Sequence, residues 1–456
     1  MSAQPTLATG TRSHQVPTAA GSFAGSHDIG TLIDAQPLSA LQLLVAVLCG
    51  LAMFADGYDL QALGLAVPTI AQQMHVSPAQ FGLALAAATV GLAAGGILLA
   101  PLGDRIGRKP ALIAALSLIG LSSLLTITAT TPTQFALWRL LTGLGLGFGV
   151  PNANAWTAEY APVRSRALIL VLMNAAISAG AFLAAFIAPR VIAAFGWPGT
   201  FVVGGVLPLL LAATLLCAPE SVKFLVSRNP GDGRVSAILA RIAPGAAWTP
   251  GAAGQPSRPP RISLTALLVP EYRARTLLLW LVTVLNLFIL FLLLNWLPTL
   301  LQTAGLPAAA ALQGTALIQL GGLIGGITLS RFIDRGHTLP ALRAAFLIAA
   351  TCLGAFLVLP AGGGWNALLL FIGLGISGAQ LGLNALSTAY YPPAIKATGM
   401  SWVGSIGQTG AFLAPLAGSW LIANQVAPTH ILALLVIPAL ACVAVAWVMR
   451  PQWQAH

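Results

Sequence analysis

The stretch APLGDRIGRKPAL at residues 100–112 returns as SRFIDRGHTLPAL at residues 330–342, displaced by 230 positions. Asp104-Arg105 falls on Asp334-Arg335, and Pro110-Ala111-Leu112 on Pro340-Ala341-Leu342. The same displacement, without a gap, carries GAFLA at 180–184 onto GAFLA at 410–414 and Gly95-Gly96-Ile97 onto Gly325-Gly326-Ile327. It also carries Pro68-Thr69 onto Pro298-Thr299 and Asn154-Ala155 onto Asn384-Ala385. Chance likeness between helices rich in Ala, Gly and Leu does not hold one register over so many segments, so the chain is read as two homologous halves.

Composition says what the halves are made of. Of the 456 residues 57% are hydrophobic and only 7% charged, with a mean hydropathy of +0.87, whereas soluble domains carry about a quarter charged residues. A span takes roughly 20 apolar residues. Runs of that length lie near 41–70, 79–101, 110–129, 133–157, 167–189 and 199–218, and again near 273–300, 306–330, 340–360, 364–390, 400–424 and 429–449. The expected fold is therefore all-α and integral to the membrane, with twelve transmembrane helices in two parallel-repeat bundles over 41–218 and 273–450. Between them, 219–272 is polar and carries Pro230, Pro244, Pro250, Pro256, Pro259 and Pro260. Residues 1–40, rich in small and polar residues, are expected to be a disordered tail without the pattern of a signal peptide, and 451–456 a short C-terminal tail.

The net charge of +11 would suggest nucleic acid in a soluble chain, but its placement gives another meaning. Basic residues fill every second loop: Arg105, Arg108 and Lys109, then Arg164 and Arg166, then Lys223 through Arg275, then Arg331, Arg335 and Arg343, then Lys396. Between the runs, only Arg139 and Arg190 fall elsewhere. By the positive-inside rule both termini and the linker are expected in the cytoplasm, the lipid bilayer being the partner and nucleic acid none. Cys49, Cys217, Cys352 and Cys442 all lie in apolar runs without metal-ligand spacing. His14, His27, His75, His337, His430 and His456 lie in tails or loops, so no pair faces across spans to hold haem or copper, and no nucleophile has a histidine beside it within a span. An enzyme is not expected, nor any cofactor beyond a proton gradient.

Gly103-Asp104-Arg105-Ile106-Gly107-Arg108-Lys109 resembles the loop signature of the major facilitator superfamily, usually written GxxxDRxGR(R/K), with Ala100 in place of the first Gly. The second copy keeps only Asp334-Arg335. Pro219-Glu220-Ser221-Val222-Lys223-Phe224-Leu225 is similar to the PESxxFL element of the same superfamily. Within span one, Asp56-Gly57-Tyr58-Asp59-Leu60-Gln61 resembles the DG(Y/F)D element of its aromatic acid:proton symporters, which carry benzoate and hydroxybenzoates. The resemblance covers the chain from about residue 40. It implies a secondary active transporter of a small aromatic carboxylate, coupled to protons through Asp56 and Asp59, with substrate or structural roles for Arg139 and Glu159. It also implies alternating access in a bacterial inner membrane.

The residues support such a site on their own terms. Asp56, Asp59 and Arg139 are the formally charged residues well inside the spans, and intramembrane charges are costly and usually functional. At about 1.5 Å per residue, Asp56 lies roughly 22 Å in from Leu41 and Arg139 roughly 9 Å in from the opposite face, which are similar depths. Asp56 and Asp59 share a helix face at i,i+3. Burial favours the neutral acid and a nearby arginine the carboxylate, a competition that makes a proton switch. Arg139 offers a planar fork to a carboxylate, either the substrate's or an aspartate's. Span seven replaces Asp56 by Asn286. Tyr58, Asn286, Asn295, Trp296, Gln319, Gln380, Asn384 and Gln408 are candidates for contact with the substrate, each with an alternative as interhelical glue. An inner gate is expected from Asp104, Arg105, Arg108, Glu159, Arg166, Asp334 and Arg335. A carrier or exporter of another organic acid, and a carrier-shaped sensor, remain open. One two-half chain forms a complete path, so function as a monomer is expected.

Overall fold

The computed structural model describes residues 29–229, 231–244, 267–360, 362, 364–392 and 395–449. The first half comprises α1 (Ile29–Ala35), α2 (Ala40–Met74), a 3-10 turn at Pro78–Phe81, α3 (Gly82–Leu98), α4 (Leu102–Ile106), α5 (Arg108–Thr126), α6 (Pro132–Tyr160), α7 (Val163–Phe195) and α8 (Pro198–Leu215). The linker contributes α9 (Val222–Arg228) and α10 (Gly233–Ile242). The second half holds α11 (Pro270–Thr303), α12 (Ala308–Asp334), α13 (Thr338–Ala355), α14 (Gly364–Tyr390), α15 (Lys396–Ala423), α16 (Pro428–Leu434) and α17 (Val436–Val448). There is no strand among the described residues.

The repeat read in the sequence is kept by the helices. α2, α5 and α8 begin at Ala40, Arg108 and Pro198, and their counterparts α11, α13 and α16 begin 230 residues on, at Pro270, Thr338 and Pro428. Among the described residues, eleven helical segments are long and apolar enough to cross a membrane. α6 is the twelfth crossing, matching α14, and is more polar because it carries Arg139, Asn152, Asn154 and Glu159. Small residues bring backbones together inside each half. A Cβ on Gly91 of α3 would lie 2.2 Å from the Leu140 carbonyl oxygen of α6, and one on Gly321 of α12 would lie 2.0 Å from that of Leu370 on α14.

The halves meet at the end away from the basic loops, called here the far end. Gln61 Nε2 of α2 donates to the Leu294 carbonyl of α11 at 3.2 Å, and Ser419 Oγ of α15 donates to the Ala79 carbonyl at 2.6 Å. Towards the basic end, Asn174, Ser178 and Asn384 stand exposed on spanning helices. Polar side chains in such positions are tolerated where they line a water-filled cleft. The structure thus has a far end closed by contacts and a cleft that opens at the basic end.

Part of the expected tail and part of the expected linker are more structured than their composition suggests. Residues 29–35 form α1, within the expected disordered tail, because Ile29, Leu32 and Ile33 make one apolar stripe that is buried. In the expected polar linker, Val235, Ile238, Leu239 and Ile242 form a buried stripe along α10 and join a cluster with Ile29, Ile33, Leu41 and Val45. The expectations for residues 1–28, 245–266 and 451–456 lie outside the described residues.

Candidate functional site

Two helix starts set the depth of the charged residues. Ser39 and Gln42 form a capping box that starts α2 at the basic end. Thr131 caps α6 at the far end, accepting from the Gln134 N–H, with Pro132 in the first turn. Asp59 and Arg139 then reach the same level from opposite ends. Arg139 Nη1 donates to Asp59 Oδ2 at 3.0 Å and Nη2 to Oδ1 at 3.1 Å, a two-pronged pair, while Nη1 also reaches the Asp59 carbonyl at 3.2 Å. Ser123 Oγ donates to Asp59 Oδ1 at 2.8 Å, and Arg139 Nη2 to Thr142 Oγ1 at 3.1 Å. The guanidinium stands 5.4 Å from the Phe201 ring centre. Asp59 is 0% exposed and Arg139 2%. Because these partners come from α2, α5, α6 and α8, the pair is enclosed within the first half.

The second half shows that this cluster is not a packing requirement. Asp59, Ser123, Arg139 and Thr142 correspond, 230 residues on, to Ile289, Leu353, Leu369 and Ile372, all buried. The same helices in the same register close equally well over four aliphatic side chains. A buried ion pair is in any case weak support for stability, since desolvation offsets its attraction. The second half thus closes at this place without charges.

Asp56, one turn from Asp59, is buried, and its Oδ1 has no hydrogen-bond partner. Of the two aspartates open to Arg139, the guanidinium takes Asp59. Its two terminal nitrogens are thereby occupied, so Arg139, expected among the substrate ligands, stands inside the first half and not on the wall of the cleft. Tyr58 is likewise enclosed, its hydroxyl donating to the Thr200 carbonyl at 3.2 Å. Trp296 is fully buried and donates from Nε1 to the Pro415 carbonyl at 3.0 Å, an interhelical contact in the second half. Asn295 is buried and bonds back to Phe291 of its own helix at 2.7 Å, and Gln319 is buried on α12. Asn286, Gln380 and Asn384 do come together: Asn286 Nδ2 donates to Gln380 Oε1 at 2.8 Å, and Gln380 Nε2 to Asn384 Oδ1 at 3.3 Å. Gln408 is half-buried, with Oε1 enclosed and unpartnered.

At the basic end a second polar network joins the two sequence motifs. Gly107 has φ of +108°, a conformation that favours glycine, and begins α5. Glu220 Oε1 accepts from the N–H groups of Arg108 at 3.0 Å and Lys109 at 3.2 Å, so this carboxylate caps the first turn of α5. Arg108 pairs with Asp104 at 2.5 Å and, through Nε, with Glu159 at 3.2 Å, while Nη1 donates to Asn152 at 3.2 Å. Ser221 Oγ donates to the other oxygen of Glu159. Arg105, expected beside Glu159, is exposed, and Arg108 takes that place because the Gly107 turn puts it on the start of α5, facing α6. Arg166 meets Asp34 at 3.5 Å, and Asp34 Oδ1 accepts from the Val163 N–H at the start of α7 at 2.8 Å. Asp334 and Arg335 are exposed at the end of α12 and take no part. The network belongs to the first half and its linker, and does not bridge the cleft.

Ser122, Ser123, Thr142, Phe201, Asn152 and Glu220 were not marked as site residues by the sequence. A signal existed: setting the halves against each other position by position singles out Ser123 and Thr142, whose counterparts Leu353 and Ile372 are aliphatic.

Comparison with known proteins agrees with this architecture. The family model described as the Major Facilitator Superfamily matches residues 49–415. The chain is 34% identical over 421 residues to a gallate transporter of Pseudomonas putida, covering 91% of this chain and 93% of that one. It is 35% identical over 432 residues to the 4-hydroxybenzoate transporter PcaK of the same species, covering 92% and 95%. Among solved structures, a bacterial homologue of the human lysosomal transporter Spinster, in an inward-facing and occupied conformation, superposes with a TM-score of 0.70 at 17% identity, covering 92% of this chain and 100% of that one.

Proposed function

Since this chain belongs to the major facilitator superfamily, we propose that it imports a hydroxybenzoate-like aromatic carboxylate together with protons across a bacterial inner membrane. The substrate class is supported by the relatives named as gallate and 4-hydroxybenzoate transporters, which align over nearly the whole chain. Proton coupling is carried by one observation: an enclosed Asp59–Arg139 pair, in a place the other half fills with Ile289 and Leu369, beside an enclosed Asp56. The basic loops support the sidedness of this reading, in which the basic end and both termini are cytoplasmic by the positive-inside rule. The cleft then faces inward, and a single chain provides the complete path.

The mechanism runs through charge balance. A proton arriving at the aspartate pair neutralises the carboxylate that holds Arg139, and the guanidinium shifts toward Thr142 and Phe201. The shift moves α2 against α6, and with them the surface that the first half presents to the second, so occupancy of the proton site biases which end of the molecule is closed. Coupling has an electrical reason as well. An anion entering an inside-negative cell works against about 2.3 kcal/mol per charge per 100 mV, which one co-transported proton cancels.

The direct test is uptake of radiolabelled 4-hydroxybenzoate into vesicles containing the purified protein, with and without an imposed inward proton gradient. Accumulation above the external concentration that vanishes when a protonophore collapses the gradient is expected. Equilibration to the same level with or without the gradient would replace symport by facilitated diffusion. Accumulation driven only from inside to outside would make the protein an exporter.

A further inference from the structure

The halves differ in polarity at a second place, on one side of α11, α14 and α15. Trp280, Thr283, Gln380, Trp402 and Gln408 stand where the first half has Gly50, Met53, Val150, Leu172 and Ser178, and Asn286 stands where it has Asp56. Along α11, Thr283 neighbours Trp280 on one turn and Asn286 on the next, each three residues away. Beside them runs α15. The Trp402 ring centre is 6.4 Å from that of Trp280, with the planes at 38°, and a Cβ on Gly407 would lie 2.7 Å from the Thr283 methyl. From α14, Gln380 ties Asn286 to the exposed Asn384. A chain of amides therefore leads from the open cleft to this spot.

Four buried polar atoms in this region have no hydrogen-bond partner: Trp280 Nε1, Thr283 Oγ1, Asn286 Oδ1 and Gln408 Oε1. Buried polar atoms are normally paired, and unpaired ones are costly to keep. Here they are grouped on two adjacent helices next to a tryptophan pair. We infer that α11, α14 and α15 form a subsite for the hydroxylated ring of the substrate, with Trp280 and Trp402 against the ring and Asn286 Oδ1, supported by Gln408 Oε1, accepting from the ring hydroxyl. This rests on the aromatic-acid reading above and adds which acids are preferred.

The preference follows from the chemistry of the unpaired atoms. Amide oxygens only accept. A phenolic hydroxyl has the proton they lack, whereas an unsubstituted ring leaves them as they are. A ligand entering past Asn384 displaces Gln380 from Asn286. The second half would thus distinguish hydroxylated from plain aromatic acids, while the charges of the first half serve coupling.

The test is titration calorimetry on the purified full-length chain with the three monohydroxybenzoates and with benzoate. It is run on wild type, Asn286→Leu and Gln408→Met, each checked for an intact thermal unfolding transition. Wild type is expected to bind at least one hydroxybenzoate roughly tenfold more tightly than benzoate, the scale of one hydrogen bond. Asn286→Leu should bring that ratio close to one, and Gln408→Met, the milder change, should lower it. Equal affinities in wild type, or a ratio unchanged in whichever variants fold, would overturn the subsite while leaving aromatic-acid transport standing. Failure of wild type to bind any of the four acids would instead overturn the transport reading, and the subsite with it.

Discussion

Asp59→Asn leaves the Arg139 guanidinium enclosed without the carboxylate that pairs with it, in a place with 2% exposure. Breaking a buried pair from one side costs about 3–5 kcal/mol, so this variant should unfold at a clearly lower temperature. Asp59→Ile with Arg139→Leu copies the second half's own solution, Ile289 and Leu369. It should be within about 2 kcal/mol of wild type, because replacing both charges by apolar residues is often neutral or stabilising, yet it should not couple uptake to protons. Thermal unfolding and vesicle uptake on the two variants separate the roles. A double variant as unstable as the single one would make the pair a structural element. At this scale the sequence was informative about which residues and silent about which pairs. Asp56, Asp59 and Arg139 stand out because charges inside spans are rare. That Arg139 turns to Asp59 and away from the cleft depends on the rotation of α6 about its axis, which spacing along one chain does not report. Ser123 and Thr142 are hidden by the frequency of small hydroxyl residues in spanning helices.

At the scale of elements, the start of α5 joins two motifs that are 111 residues apart in the Lys109–Glu220 contact. Glu220→Ala removes the cap of the first turn, an effect of about 1 kcal/mol, and also frees the Gly107 turn against which the carboxylate packs. Thermal unfolding should drop modestly, and Glu220→Gln, which keeps an acceptor oxygen, should recover part of the loss. A variant indistinguishable from wild type would show that water caps α5 as well as Glu220 does. The spanning helices were legible from hydropathy because a bilayer imposes length and apolarity on each one. α1 and α10 were not, since each buries one short stripe, Ile29 to Ile33 and Val235 to Ile242, and a short amphipathic helix within a polar stretch raises mean hydropathy very little.

At the scale of the whole molecule, alternating access requires the far-end contacts to break. Ala79 and Ser419 belong to opposite halves and are joined by a 2.6 Å hydrogen bond. In a chain whose four native cysteines are replaced, Ala79→Cys with Ser419→Cys should crosslink on oxidation, stop uptake, and regain it on reduction. Undiminished uptake by fully crosslinked protein would mean that the far end does not open there. The two-half plan was readable from one constant displacement of 230 residues. Which end is open was not, because it is decided by contacts such as Gly64, where a Cβ would lie 2.9 Å from the Leu294 carbonyl oxygen, and neither half alone contains that information. The central claim is that an aromatic carboxylate and a proton cross together by way of the aspartates of α2. The most direct measurement is the external pH of lightly buffered vesicles when 4-hydroxybenzoate is added, with Asp59→Ile/Arg139→Leu beside wild type. Substrate-dependent external alkalinisation in wild type, absent in the double variant, is the predicted result. No pH change in wild type that takes up the acid, or an equal change in both proteins, would contradict it.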